Sequence, residues 1–375
     1  MNHAMHIRFL PALAGMGLLA ATTALVGQAS PAAQKRPAID QSVSDAWRAP
    51  ASIVIDEQEI GFSDGSVQLS GTLYYPRGAS KVPAIVVLHG ASSPTRDLPL
   101  YRHLKEMLPP LGIAVYVFDR RGSGKSVTSA DVQNLEVLSD DGVAAARMLA
   151  HDPRIDSARI GFWGVSQGGW LALMAAAKDA DAAFVISVSA PMTTPDVQMN
   201  FAVANILRVN GYAQTDIDQA VDTRRKIDDY LRGKLDRFVP QQALDSARQR
   251  PWFKLIYLGS SLASIKTSSW PEQMRVDPMA TLDRVKVPVL MIYGAADPWV
   301  PVRLSEERLR AVAPGHPNVE TVVIAKADHM MMSSLSPKTQ MDPKSFAGET
   351  PEVPAYFAAL AAWLTQQHLA HISEP

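Results

Sequence analysis

The chain has 375 residues, 47% of them apolar, with 36 basic against 37 acidic side chains and no cysteine. That length can bury a large core, and a formal net charge of -1 offers no footprint for nucleic acid or an anionic membrane surface. The absence of cysteine excludes a disulfide scaffold, a thiolate zinc site, a cysteine nucleophile and a lipid-modified cysteine anchor.

In chain order, residues 1–29 carry Arg8 as their only full charge, followed by the apolar run "FLPALAGMGLLAATTALVG". Small residues at Gly27 and Ala29 suit a signal peptidase, so the segment reads as a secretory signal peptide cut after Ala29. A retained membrane anchor is the alternative, but its run is at the lower edge for spanning and is diluted by Gly, Thr and Pro. A periplasmic or secreted chain with no stable membrane insertion after cleavage is expected. Residues 30–50, rich in Pro, Ala and Ser without a period, read as a linker or tail.

The segments "SIVIDEQEIGF" and "VQLSGTLYYP" alternate partially and predict an antiparallel pair at a sheet edge. From Val82 short apolar runs alternate with helical stretches. Strands are expected at 83–89, 113–119, 159–165 and 183–190, and helices near 97–109, 138–150 and 168–178. Runs rich in Val and Ile and apolar throughout suit strands buried on both faces of a parallel sheet, and the strict alternation means βαβ units. The rhythm breaks at Pro191 and resumes with strands at 287–294 and 319–325 and helices at 303–312 and 354–368. Residues 191–286 are far longer than a crossover needs. Within them, "TDIDQAVDTRRKIDDYLRG" places Ile217, Ala220, Val221, Ile227 and Leu231 on one helical face, with Thr215 as N-cap and Gly233 as stop. The expected organisation is an α/β core over 51–190 and 287–375, interrupted by a helical insertion at 191–286 that would cover the sheet's carboxyl edge.

Gly164-Val165-Ser166-Gln167-Gly168 sits where an apolar strand ends and an Ala/Leu-rich helix begins. The bare pattern is weak, but this setting holds a serine in a strained turn with its hydroxyl exposed. Serine needs an oriented base. Seven histidines follow residue 29. Only His329, in "KADHM", stands late in the chain just after a strand, where working groups of an open α/β sheet gather. His316 precedes that strand, and His368 and His371 read as surface without a metal. His103 and His151 are expected to cap or face water. Asp297, in "YGAADPWVP", follows the strand before it and completes the order Ser…Asp…His, with Asp196 as runner-up. Asp328 adjoins the histidine in sequence, and chain neighbours seldom point at each other. Two backbone N–H groups must face the oxyanion. Gln167, after the serine, supplies one, and Ala91, in "HGASS" after the strand at 83–89, is the choice for the other. His89 reads as an anchor for that loop. The stretch "RRGSGKS" resembles the end of a phosphate-binding loop, but Asp119 stands where its first glycine is required.

Together "HGASS", "DRRGSGKS", "GVSQGG", "GAADPWVP" and "ADHM" resemble a serine hydrolase of the alpha/beta-hydrolase superfamily over roughly residues 55–370. The Asp119–Ser126 stretch is similar to that of bacterial esterases and of aminopeptidase-like or dienelactone-hydrolase-like members. The resemblance implies Ser166 as nucleophile, His329 as base, Asp297 as its orienting acid, Ala91 and Gln167 as oxyanion donors, and no cofactor. Ser166 argues against the epoxide- and dehalogenase-type members, which use an aspartate nucleophile, and "HGASS" against the lipase branch with "HGGG". The expected reaction is cleavage of a small carboxylic ester. An aminopeptidase, thioesterase or lactone hydrolase is the alternative, and a non-catalytic binding protein on the same fold the alternative of another class. Phe201, Ile206, Leu207, Trp252, Phe253 and Tyr257 of the insertion, with Trp299 and Met330–Met332, could furnish an apolar acyl or aryl pocket. A peptidase reading a free amino terminus would need unpaired carboxylates there, for which Asp216, Asp218, Asp222, Asp228 and Asp229 are available.

Overall fold

A computed structural model describes residues 53–370 except 93 and 343, so the signal-peptide and linker readings lie outside the described residues, as does His371. Among the described residues eight strands form one sheet in the order β1-β2-β4-β3-β5-β6-β7-β8. β1 (Ile55–Asp64) and β2 (Val67–Pro76) are the expected edge hairpin, turned by Gly65 at φ 56° and Ser66. β2 runs antiparallel to β4 (Ala114–Phe118), and β3 (Val82–Leu88), β4, β5 (Ile155–Val165), β6 (Val185–Val188), β7 (Val289–Gly294) and β8 (Val319–Ile324) are parallel. Every residue of β4, β6 and β7 is buried, which is why these strands read as unbroken apolar runs rather than alternating ones. The helices of the core are α1 (Arg102–Met107), α2 (Leu135–Ala150) and α3 (Gln167–Lys178).

Between β6 and β7 come α4 (Pro195–Val209), α5 (Gln214–Leu231), α6 (Phe238–Arg248), α7 (Leu262–Lys266), α8 (Trp270–Gln273) and α9 (Pro278–Leu282), with no strand. α10 (Val302–Val312), α11 (Pro337–Gln340) and α12 (Pro354–Gln366) are the helices that follow β7 among the described residues. The insertion has a hydrophobic cluster of its own, including Ile217, Ala220, Ile227, Leu244 and Trp252. α4 ties it to the sheet: Met199, Val203 and Leu207 enter that cluster, while Ala202 and Ile206 on the adjoining stripe enter the main core. Thr215 does not cap α5. The cap lies two residues earlier, at Ala213, where the N–H groups of Asp216 and Ile217 both donate to its carbonyl. Gly233, at φ 75°, ends it as expected.

Register decides which loops meet. Leu88 of β3 lies opposite Gly164 of β5, so the chain leaves the sheet toward Ala91 and toward Ser166 side by side. Gly294 of β7 lies opposite Ile324 of β8, so Asp297 and His329 leave together. All four loops emerge at the carboxyl edge of parallel strands, and those after β3 and β5 flank the point where strand order reverses.

Candidate active site

Ser166 occupies the junction of β5 and α3 at φ 57° and ψ -123°, a backbone conformation costly for a residue with a Cβ. Its neighbours hold it there. The Ser166 N–H donates to the Val188 carbonyl at 2.8 Å, and the Gly169 N–H donates to the Ser166 carbonyl at 2.9 Å. The turn closes only because flanking residues lack side chains: a Cβ on Gly164 would lie 2.0 Å from the Gly168 carbonyl oxygen, and one on Gly168 2.3 Å from that of Leu88. The strain therefore serves to lift one side chain clear of the strand end.

Asp297 is buried, and both of its oxygens are engaged. Oδ1 accepts from the N–H groups of Trp299 at 2.7 Å and Val300 at 3.0 Å, which fixes the carboxylate, and Oδ2 faces Nδ1 of His329 at 2.8 Å. A proton on Nδ1 in that bond makes Nε2 the basic nitrogen of the ring. Burial works against charge on His329, but Asp297, with help from Asp328 and Glu349, outweighs it and holds the pKa above the ordinary 6.5. The loops carrying the pair are bonded to one another, through Ala295 N–H to Ile324 O and Ala296 N–H to Ala327 O. Asp328 turns away from the ring's acid role: its Oδ1 accepts the N–H groups of Met330 and Met332, both at 2.9 Å, and so shapes the histidine loop. Asp196 stands at the start of α4, where it pairs with Arg232 at 2.8 Å.

Ser166, His329, Ala91 and Gln167 all line one cavity of about 70 Å3, to which Asp297 is joined through the histidine. His89 anchors its loop, facing Tyr101 Oη through Nδ1 at 2.8 Å and the Phe118 carbonyl through Nε2. The "DRRGSGKS" segment folds around its aspartate: Asp119 accepts from the N–H groups of Arg96 and Lys125, with Gly124 crowded against the carboxylate. Among the described residues no group of three or more His, Asp or Glu is arranged to hold a metal ion, and no helix is long and apolar enough to cross a membrane.

Two expectations about histidine divide. His151 is exposed and its Nδ1 faces the Arg147 carbonyl at the end of α2. His103 does not face water. Its ring is buried between the Leu100 carbonyl at 2.8 Å and Tyr356 Oη at 2.9 Å, because the short α1 is covered by α12.

The pocket wall differs from the expected one. None of Phe201, Ile206, Leu207, Trp252, Phe253 or Tyr257 lines it; Ile206 packs in the main core, and Leu207 and Trp252 fill the core of the insertion. Trp299 and Met330 do line it, joined by Trp170, Trp270 and Met199. Each indole N–H is tied elsewhere: Trp170 donates to the Pro191 carbonyl at 2.6 Å, Trp270 to Asp228 Oδ1 at 2.7 Å and Trp299 to the Gln340 carbonyl at 2.6 Å. The pocket thus meets carbon surfaces of three rings. Among the described residues no Asp, Glu, Lys or Arg lines it. The α5 carboxylates are engaged elsewhere: Asp216 with Arg250, Asp218 with Gln214, Asp222 with Lys226, Asp228 with Trp270 and Asp229 with Lys234.

Sequence reasoning missed Trp170, Trp270 and Arg120. The tryptophans carried no distinguishing signal, since each falls in a helix where an apolar residue is expected. Arg120 follows the fully buried β4, where a cation must find polar partners. Its Nη1 donates to Gln167 Oε1 at 2.9 Å and to the Gly90 carbonyl at 3.5 Å.

The family model described as "Alpha/beta hydrolase family" matches residues 85–363. Among curated proteins, the thiohydrolase aneE of Aspergillus aculeatus is 32% identical over 123 residues, covering 32% of this chain and 37% of that relative's length. This chain therefore matches well under two thirds of that protein. Among solved structures, an esterase of Pyrococcus furiosus aligns with a TM-score of 0.52 at 17% identity, covering 91% of this chain and 95% of that one. An acylaminoacyl peptidase of Pyrococcus horikoshii aligns with a TM-score of 0.52 at 15% identity, covering 91% of this chain and 46% of that one. At such identities the structural likeness establishes the fold alone.

Proposed function

The chain belongs to the alpha/beta hydrolase family, and on that premise we propose that it is a secreted serine hydrolase that cleaves carboxylic esters through an acyl-enzyme. The observation that carries the reading is the 2.8 Å contact between Asp297 and His329 on the cavity that Ser166, Ala91 and Gln167 also line. Ser166 Oγ attacks the ester carbonyl carbon while His329 Nε2 takes the hydroxyl proton. The tetrahedral oxyanion is received by the N–H groups of Ala91 and Gln167. Its collapse breaks the bond to the alkoxy oxygen, which leaves with the proton from His329. Water then repeats the sequence on the acyl-serine and releases the acid. No step calls for a cofactor.

The wall of three indole faces suits an apolar acyl or aryl group. Among the described residues a free amino terminus would find no carboxylate on that wall, which weighs against an aminopeptidase. The name of the fungal relative makes a thioester the leaving group to test beside an oxygen ester.

The test labels periplasmic, secreted and cytoplasmic fractions with a fluorophosphonate probe, then assays the purified chain on aryl esters, thioesters and aminoacyl amides. The wild type is expected to label outside the cytoplasm at a mass lacking residues 1–29, and to prefer esters. Ser166→Ala is expected to lose labelling, with turnover down roughly a million-fold. Labelling that survives in Ser166→Ala overturns the nucleophile, and a fully folded wild type that never labels makes the chain a binding protein.

A further inference from the structure

Arg120 and Arg121 adjoin in sequence and are both buried, yet they are treated differently. Taking a guanidinium out of water is costly, so a buried one ordinarily sits against a carboxylate. Arg121 does so, donating from Nε and Nη2 to Asp141 at 3.0 and 2.6 Å and from Nη2 to Asp64 at 2.6 Å. The hydrogen-bond partners of Arg120 are neutral: Gln167 Oε1 at 2.9 Å, the Gly90 carbonyl at 3.5 Å and the Val132 carbonyl at 3.3 Å. Nearby Asp141 is already engaged by Arg121. Burial pushes the pKa of Arg120 down to about 10, with Tyr101 and Asp141 opposing, so the side chain remains a cation at neutral pH.

Two of those partners belong to the proposed oxyanion donors. The Gly90 carbonyl and the Ala91 N–H are opposite ends of one peptide group. A cation at the carbonyl end draws electron density toward the oxygen, which makes the N–H at the other end a stronger donor and pins the peptide plane. The second partner is the side chain of Gln167, whose own backbone N–H is the other donor at the start of α3. We propose that Arg120 is a positioning residue of the oxyanion hole, clamping both donors with one guanidinium and leaving its charge unneutralised beside the point where negative charge develops. This rests on the ester-hydrolase reading above. An ion pair at this position would cancel the field that the transition state uses, which is a reason for the cation to have neutral partners. Arg120 does not line the cavity, so it acts through Gly90, Ala91 and Gln167 and not on substrate.

The experiment measures kcat and KM on p-nitrophenyl acetate, and inhibition by phenylboronic acid, whose adduct with the serine is tetrahedral and anionic. Arg120→Met is expected to lower kcat by about 10- to 100-fold with KM within about threefold, and to weaken boronate inhibition by the same factor as kcat. Arg120→Lys, which keeps charge but loses the fork, should fall between Arg120→Met and the wild type. Gln167→Leu alone should lose several-fold in kcat, and adding it to Arg120→Met should cost nothing more, because its partner is already gone. A folded Arg120→Met with wild-type kcat overturns the clamp. So does a kcat loss with unchanged boronate affinity, which would mark a mere strut. If Arg120→Met does not melt cooperatively, the half-buried Gln167 decides: wild-type kcat and boronate affinity in Gln167→Leu overturn the proposal. Labelling that survives in Ser166→Ala sinks the ester-hydrolase reading itself, whereas a dead Ser166→Ala beside a fully active Arg120→Met sinks only the clamp.

Discussion

His329 shows how two opposing influences settle a single residue. Burial alone would push its pKa down, and the adjacent Asp297 carboxylate reverses the sign. In the proposed mechanism His329 is the general base and must be unprotonated, so the rate falls as pH drops through its pKa. Because that pKa lies above the ordinary value, the acid limb of kcat/KM is expected above pH 6.5. In Asp297→Asn the attracting charge is gone, so the limb should move to lower pH, with kcat down roughly 10^4-fold because the ring loses its tautomer and orientation. A pH–rate profile of both enzymes checks this. A limb that stays in place in Asp297→Asn would mean that another group titrates. Asp297 could be distinguished from Asp328 in the sequence because it follows a strand on its own. That Asp328 spends its oxygen on two backbone N–H groups became visible only in three dimensions.

Among the elements, the insertion shapes the pocket through α4 and the four-residue α8. Trp270 is held from behind, with its N–H on Asp228 and the Arg224 guanidinium 5.2 Å from its ring centre. That support makes it a rigid end wall. Trp270→Ala should therefore enlarge the proposed acyl site and raise kcat/KM for p-nitrophenyl octanoate relative to acetate by about tenfold or more. An unchanged chain-length profile would show that Trp270 does not bound the acyl group. The strands were legible because burial on both faces writes continuous apolar runs. The pocket residues were not, because α4 is apolar on two stripes, and sequence cannot say which stripe meets which core.

At the scale of the whole molecule, His103 links packing to pH. It joins α1 to Tyr356 of α12, 253 residues away, and burial depresses its pKa from 6.5 to about 4. Above pH 6.5 the ring is neutral both folded and unfolded, and it makes no pH-dependent contribution. Between pH 6.5 and 4 the unfolded chain binds a proton that the folded chain refuses, so stability falls with falling pH, by about 3 kcal/mol in total. Denaturant unfolding at pH 7, 5.5 and 4 should show a slope in the wild type that is flatter by that amount in His103→Gln. Equal slopes would mean that the ring already accepts a proton in the fold.

The sequence by itself determined the sheet, the strained serine turn and the order of the three candidate catalytic side chains. Those features depend on local periodicity, on glycines needed for close backbone approach, and on the rule that parallel strands deliver their loops to one edge. Only the tertiary structure decided which tryptophans face the cavity, that His103 is buried, and that Arg120 reaches Gly90 and Gln167. Each of those depends on side chains far apart in the chain sharing one desolvated space, and neither the spacing nor the chemistry of the residues along the chain records which of them will do so.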